Sequence, residues 1–306
     1  VVVDRVHGVL AKAGYASDFL LVDDGSSTPP PARLRLSAKE NADDPPTVEV
    51  LRLRRNLGHQ RAIAIGLSHV QAHRSVRAVV VMDGDGEDTP EGVLKLVQRL
   101  DANGDSAVVF GARARRTEGL WFRVSYWFFK LAHRMLTGRA VRVGNFSILP
   151  AALLNKLVAV SELWNHYAAS VFKARIPAEM TPIDRGHRIA GQSRMNFVSL
   201  LVHGLSAVSV FGDVLGLRLL VATFLLGVVS VIGIATVIGI RVFTDFAVPG
   251  WATSAAGVLF VILLQAFLMV TVFVFITLQG RSALGFLPVR DFSYFIDRVD
   301  EVAIDV

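Results

Sequence analysis

The sequence predicts an α/β domain with a mostly parallel sheet, followed by interfacial helices and two transmembrane helices. Strand-like apolar runs at 19–23, 48–54, 78–82 and 107–111 alternate with helical patterns at 2–14, 59–74 and 91–102. That order builds a sheet covered by helices on both faces. Two later stretches, 219–240 and 253–278, carry no charged residue. At ~1.5 Å per residue each is long enough to cross a ~30 Å hydrocarbon core. The composition is 52% hydrophobic, and most of the apolar excess lies after residue 213.

Composition removes several classes of function. With no cysteine, the chain has no disulfide scaffold and no thiolate metal site. The net charge of +6, in a chain with apolar helices, points to anionic lipid headgroups before nucleic acid. No basic motif interleaved with aromatics argues for a nucleic-acid partner.

The chain begins without methionine, and Val3, Val6, Val9, Leu10 and Ala13 sit at helical spacing. The run at 19–22 then closes on Asp23-Asp24-Gly25-Ser26-Ser27. Gly25 permits a tight turn, and the serines are donors for phosphate or caps for the next element. Residues 28–46, rich in proline and charge, are expected to form an exposed loop. After the strand at 48–54, Arg55-Asn56-Leu57-Gly58-His59-Gln60 opens an apolar-periodic helix, whose N-terminus offers free N–H groups to an anion.

The run at 78–82 empties into Asp83, Asp85, Glu87 and Asp88, separated by glycines, before Pro90 starts a helix. Carboxylates crowded at a strand end repel one another unless a positive charge sits between them. A hard divalent cation with oxygen ligands, itself holding a phosphate-bearing substrate, fits that requirement. Farther on, Arg185-Gly186-His187-Arg188-Ile189-Ala190-Gly191-Gln192-Ser193-Arg194 gathers cations around a glycine and a serine, a composition suited to phosphate. Each motif alone also has a plainer reading: a solvated acidic turn, a strand-to-loop turn, a helix cap, a solvated basic loop.

Together and in this order the four motifs resemble the family 2 glycosyltransferases of the GT-A fold. The likeness is to their membrane-anchored polyisoprenyl-phosphate (dolichol- or undecaprenyl-phosphate) branch. That branch typically shows Asp-Asp-Gly-Ser, Arg-Asn-Phe-Gly-His-Gln, Met-Asp-Ala-Asp-Leu-Gln-x-Pro-Pro-Glu, Gly-x-Arg and Arg-x-x-Gly-x-Ser-Lys, followed by hydrophobic helices. The match runs from about residue 15 to about residue 280.

The resemblance implies inverting, metal-dependent transfer of a hexose from a UDP- or GDP-linked donor to a polyisoprenyl phosphate. It implies Asp85 and Glu87 as ligands of Mg²⁺ or Mn²⁺, with Glu87 standing where the family usually has Gln, and Asp83 nearer the nucleotide. Asp23 and Asp24 would contact base and ribose, beside Gly25, Ser26, Asn56, Gly58, His59 and Gln60. Arg113, in Phe110-Gly111-Ala112-Arg113, would face phosphate or acceptor. Arg188, Ser193 and Arg194 would meet the acceptor phosphate, with Arg194 in place of the usual Lys.

Two departures stand out. Val143-Gly144-Asn145-Phe146-Ser147 lies where the branch has Asp-x-Gly-Asp-Phe-Arg, so Asn145 replaces a carboxylate often proposed as base and Ser147 an arginine. Glu162 and His166 are nearby titratable groups that would serve instead, or be structural. The family also places a strand and a Pro-x-Tyr-Asn-Glu-like turn before the first helix. The expectation is therefore an N-terminally incomplete sequence that lacks the first strand. A glycan or another lipid as acceptor, and a non-catalytic nucleotide-sugar-binding membrane protein, are the competing readings.

The domain organisation expected is a GT-A domain over 1–195, an interfacial region over 196–218, a transmembrane hairpin over 219–278 and a cytoplasmic tail over 279–306. Residues 119–136, where tryptophan and phenylalanine interleave with basic residues, suit a first interfacial helix. Arg218, Arg281 and Arg290 flank the outer sides of the apolar pair, against Arg241 alone between its two segments. That bias places the catalytic domain and both ends in the cytoplasm, on the inner membrane of the cell. Gly227, Ser230, Gly233, Thr236 and Gly239 put small residues at every third position, open to close helix packing and to a homo-oligomer through the transmembrane helices.

Overall fold

The computed structural model describes residues 1–28, 30, 33–35, 46–113, 144–184, 186–189, 206–244, 250–282 and 285–305. The expected interfacial helix at 119–136, Ser193, Arg194 and residues 196–205 lie outside the described residues. The chain divides into two units. One comprises Val1–Phe129, Ala140–Val210 and Phe286–Val306, and the other Lys130–Arg139 and Phe211–Gly285.

The first unit is α/β, with helices α1 (Val2–Lys12), α2 (His59–His73), α3 (Pro90–Asn103), α4 (Ala151–Val158) and α5 (Tyr167–Lys173). Its strands are β1 (Phe19–Asp23), β2 (Arg33–Arg35), β3 (Val48–Leu53), β4 (Ala78–Val81), β5 (Val108–Arg113), β6 (Ser147–Pro150), β7 (Ala178–Ile183), β8 (Ile296–Glu301) and β9 (Ala303–Asp305). They form three ladders in the orders β1-β3-β8, β2-β9 and β4-β6-β5-β7.

The α/β expectation holds, and the sheets are mixed. β1 with β3, β2 with β9 and β5 with β7 run parallel, whereas β8 against β3 and β6 against β4 and β5 run antiparallel. The antiparallel members are those that apolar runs did not reveal. β6 is a four-residue strand ending in proline, and β8 has only two apolar residues among four charged ones.

Two helical layers cover the strands. On one face Val6 and Leu10 of α1 and Val93, Leu96 and Leu100 of α3 pack with Phe19, Ala78, Val80 and Val109. On the other, Ala64, Leu67 and Val70 of α2 and Leu153, Leu154 and Leu157 of α4 pack with Leu20, Val79, Val81 and Phe110. β1 and β4 thus share both layers, yet no ladder joins them among the described residues.

The insert expected to be a loop contains β2, and the expected tail supplies β8 and β9. β8 pairs from Glu49↔Glu301 to Leu53↔Ile296, and β9 pairs with β2 from Arg33↔Ala303 to Arg35↔Asp305. Neither pairing is visible locally, because each strand's partner lies far away in sequence and is itself short.

The second unit is built on two antiparallel apolar helices, α6 (Gly212–Phe243) and α7 (Trp251–Ser282). Almost all their side chains face outward rather than into a protein core. Phe224, Val231, Val258 and Phe267 are each more than half exposed, a surface that needs an apolar surrounding. The small residues do not leave a free stripe. A Cβ on Gly233 would lie 3.0 Å from Leu259 and one on Gly227 3.5 Å from Leu263, and Ser230 is buried. Gly227, Ser230 and Gly233 therefore pack α6 on α7 within the chain, whereas Thr236 is exposed and Gly239 has open space beside it.

His69 of α2 is buried, stacks on His73 at 4.4 Å, and meets the Phe292 ring edge-on. Burial lowers its pKa from the ordinary 6.5, and the charges of His73 and Arg74 lower it further, against an opposing pull from Glu49. The fold therefore holds His69 neutral while the unfolded chain takes up the proton. Its contribution is complete above about pH 6.5 and is lost as pH falls through the range below. Thermal unfolding in detergent across that range should show the parent losing more stability on acidification than His69→Gln. Equal slopes would exclude this assignment.

Candidate active site

Four chain segments end at one place. The first is the turn after β1. Asp24 accepts hydrogen bonds from the backbone N–H of Leu57 at 2.6 Å and of Gly58 at 2.9 Å, and Asn56 donates its amide to the Asp24 carbonyl at 2.9 Å. The carboxylate that the resemblance assigned to base or ribose thus holds the loop that starts α2. It also takes two N–H groups of the helix entrance that the sequence offered to an anion. Gly25 makes this docking possible: its φ is +70° and an added Cβ would lie 2.6 Å from the Asn56 nitrogen.

Asp23 accepts from the backbone N–H of Ser26 at 2.9 Å, which closes the turn. It lies 3.9 Å from Arg52, its partner across the β1–β3 register, and Arg52 is in turn 3.7 Å from Asp300. Arg52 is a site neighbour that sequence reasoning missed. Its signal was the cross-strand pairing of an acid with a base, readable only once the register is known.

The second and third segments meet through side chains. Gln60 Oε1 accepts from the backbone N–H of Tyr167 at 2.7 Å, so its amide nitrogen points to Asn145 Oδ1 at 3.2 Å. Asn145 Nδ2 then faces His59 Nε2 at 2.8 Å. Because the Tyr167 N–H can only donate, the orientation of each amide follows from it, and His59 Nε2 must accept. The same Nε2 lies 3.4 Å from Asp83 Oδ1. Asn145, His59 and Gln60 are thereby brought together, with Asp83 beside them. Ser147 donates to the Asn145 carbonyl at 2.8 Å and shares a hydrogen bond of 2.7 Å with the buried Tyr167 hydroxyl. Tyr167 is a second residue the sequence did not announce.

The fourth segment is the acidic loop after β4. Asp85 accepts from the Glu87 N–H and Asp88 from the Asp83 N–H, both at 2.9 Å. Thr89 caps α3 through the Gly92 N–H at 3.1 Å, with Pro90 in the first turn. Residues 186–189 lie along this loop. The Gly186 N–H reaches the Glu87 carbonyl and the Ile189 N–H the Asp85 carbonyl, each at 2.9 Å. Gly186 is required there, because a Cβ would come within 2.9 Å of the Gly86 oxygen. Between these anchors Arg188 reaches back, with a guanidinium nitrogen 2.9 Å from Asp85 Oδ2 and Nε 3.5 Å from Glu87 Oε1.

Two carboxylates thus converge on one cationic position at a half-buried loop. Among the described residues no group of three acidic or histidine side chains does so. Two hard oxygen ligands suit Mg²⁺ or Mn²⁺ when substrate phosphate and water complete the shell, so Asp85 and Glu87 fit the cation that the sequence implied. Arg113 ends β5, Cα-paired with Ile183. Glu162 is paired to Lys173 at 2.9 Å; burial pushes its pKa up, but Lys173, its own backbone N–H and Ser161 together outweigh this and lower it from the ordinary value. His166 is buried and caps α5, accepting from the Ala169 N–H at 3.3 Å. Both are engaged in the fold.

Residues 1–158 match the family model described as glycosyl transferase family 2, just over half of the chain. The chain belongs to that family. A Bacillus subtilis protein named as the uncharacterized glycosyltransferase YkcC is 22% identical, over 81% of this chain and 75% of its own length. An undecaprenyl-phosphate 4-deoxy-4-formamido-L-arabinose transferase of Salmonella paratyphi A is 27% identical, over 64% of this chain and 58% of its own. The corresponding Salmonella paratyphi B protein is 28% identical, over 61% and 55%. The chain spans less than two thirds of the length of these Salmonella relatives. As a family 2 member, this glycosyltransferase has an α/β N-terminal domain followed by two long apolar helices.

The docking of the first two segments is testable by stability alone. Gly25→Ala should cost about 1–3 kcal/mol, since both its φ and its backbone contact forbid a side chain. Asp24→Ala, which removes two backbone caps, should cost about 0.5–2 kcal/mol. Denaturant unfolding in detergent measures both. Parent-like stability for Gly25→Ala would mean that the two loops are not held together as described.

Proposed function

We propose that this family 2 glycosyltransferase transfers a hexose, with inversion, from a UDP- or GDP-linked donor to a polyisoprenyl phosphate at the cytoplasmic face of the cell membrane. The observation that carries the reading is Arg188, held by backbone hydrogen bonds against the carboxylates at the end of β4. A strand-end acidic pair with a phosphate-type arginine beside it suits one reaction well: an anionic nucleophile approaching a diphosphate. The two outward-facing apolar helices and the activity for which the Salmonella relatives are named support a lipid acceptor.

In this reading Asp85 and Glu87 hold Mg²⁺ or Mn²⁺, which when bound offsets the charge of the departing diphosphate. Asp23, Ser26 and Asn56 flank the nucleotide, while Asp24 fixes the loop they stand on. His59, Gln60 and Asn145 hold the α2 entrance against β6 beside Asp83. Arg188, with Ser193, Arg194 and Arg113, supplies positive charge and donors to phosphate oxygens. An acceptor phosphate is already ionised near neutral pH, so it needs no base. That agrees with an amide at Asn145, both ends of which are used in hydrogen bonds.

The return of residues 286–306 to the first unit supports an even number of membrane crossings, with both ends cytoplasmic. A reporter fused after Val306 should accordingly read as cytoplasmic and one inserted near Pro249 as external. Both on one side would refute the hairpin.

Transfer itself is tested with the full chain, labelled donors, Mg²⁺ or Mn²⁺, and undecaprenyl or dolichyl phosphate against glycan and diacyl-lipid acceptors. Asp85→Asn should abolish transfer, and Glu87→Gln should be mild. Arg188→Ala and Arg194→Ala should each lower it by about tenfold or more, from a charge-assisted contact of ~1.5–3 kcal/mol, while donor binding persists. Transfer only to a neutral hydroxyl acceptor, with the arginines dispensable, would overturn the reading.

A further inference from the structure

Arg188 stands where a cation between Asp85 and Glu87 would stand. Its guanidinium contacts both carboxylates, at 2.9 and 3.5 Å. The placement is built rather than casual. Both flanking residues, Gly186 and Ile189, are hydrogen-bonded to the carbonyls of Glu87 and Asp85. Ile189 also fills the space a side chain on Gly86 would need, 2.5 Å from an added Cβ, and Gly86 has a φ of +83°. The two loops are therefore interlocked, and the arginine has little freedom except along its own side chain.

A guanidinium and a divalent ion cannot share two monovalent carboxylates. An ion that takes Asp85 Oδ2 or Glu87 Oε1 takes it from Arg188, and the arginine would then face a charge twice its own at contact distance. We infer that Arg188 is an internal competitor for the metal site: its side chain offsets part of the charge of Asp85 and Glu87, gives way to the divalent ion, and is then free for a phosphate oxygen. This rests on the assignment of Asp85 and Glu87 as metal ligands, and it adds an order to the reaction. The cation meant for the acceptor phosphate becomes available only when the donor's metal has entered. Until then the arginine is held on the acidic loop and is not offered to other anions.

The test is Mn²⁺ binding by the full-length protein in detergent, with no donor and no acceptor, read as bound and free Mn²⁺ by electron paramagnetic resonance. Removing a partly exposed ion pair from competition should tighten Mn²⁺ by roughly five- to tenfold in Arg188→Ala and in Arg188→Gln, the second keeping the side chain's bulk. Arg188→Lys, which keeps the charge, should remain within about twofold of the parent. In Asp85→Asn/Arg188→Ala the gain should vanish. Unchanged or weaker binding in both neutral variants overturns the competition, as does a gain that survives loss of Asp85, since the metal would then sit elsewhere. Acceptor assays do not enter, so this inference and the polyisoprenyl-phosphate reading fail separately.

Discussion

Strand β3 is the structure's most dependent element, because its outer edge is closed by residues that come after both apolar helices. Val48, Val50, Leu51 and Leu53 are buried, and β8 supplies the partner ladder from Glu301 back to Ile296. The closure continues past the strand: the Arg54 N–H binds the Phe295 carbonyl and the Arg54 side chain the Ile296 carbonyl. β3 delivers the loop that docks on Asp24 and starts α2, so the geometry of that half of the site rests on the chain's last residues. A sheet completed by such distant sequence folds late. The first unit reaches its final edge only after the apolar pair has been made.

The site itself is organised by hydrogen-bond direction and by charge. Asp24 joins the first strand end to the α2 entrance, and His59 reaches Asp83 from there. The acidic loop is stitched to residues 186–189 by two backbone hydrogen bonds. Contacts therefore run without a break from the turn after β1 to Arg188. Two links, the Asp24 carboxylate on the Leu57 and Gly58 N–H groups and the Gln60–Asn145 amide pair, set distances. The link between Arg188 and the Asp85 and Glu87 carboxylates is made of full charges, and in the proposed reaction it is the one that a dication disturbs. The network is thus rigid where it positions and exchangeable where it binds.

The sequence made the buried strands legible, since β1, β3, β4 and β5 are runs of apolar residues that end in polar ones. It also made the four motifs legible, because order and spacing carry across a large family. It could not tell what a carboxylate in a motif does. Asp24 reads the same whether it serves a ligand or the N–H groups of Leu57 and Gly58, and the choice is decided by a loop 33 residues away. β2, β8 and β9 were illegible for a different reason. They are short or rich in charge, and acquire their state from a partner across the chain. The small-residue stripe of α6 was visible, but not that α7 uses it. Arg188 was expected at phosphate; that it lies on Asp85 and Glu87 comes from a loop packing that no local pattern encodes.

Asn145 shows how a departure from a family motif can be absorbed. A carboxylate there would accept from Gln60 and also from a His59 Nε2–H, which a neutral ring can supply. An amide reverses one of these bonds. Gln60 still donates to Oδ1, but Nδ2 now donates to His59, which must keep its lone pair at Nε2. The loop is positioned as before, and one negative charge leaves with the carboxylate. In the proposed reaction the exchange leaves no carboxylate to act as base at this position, and an acceptor that arrives already ionised needs none.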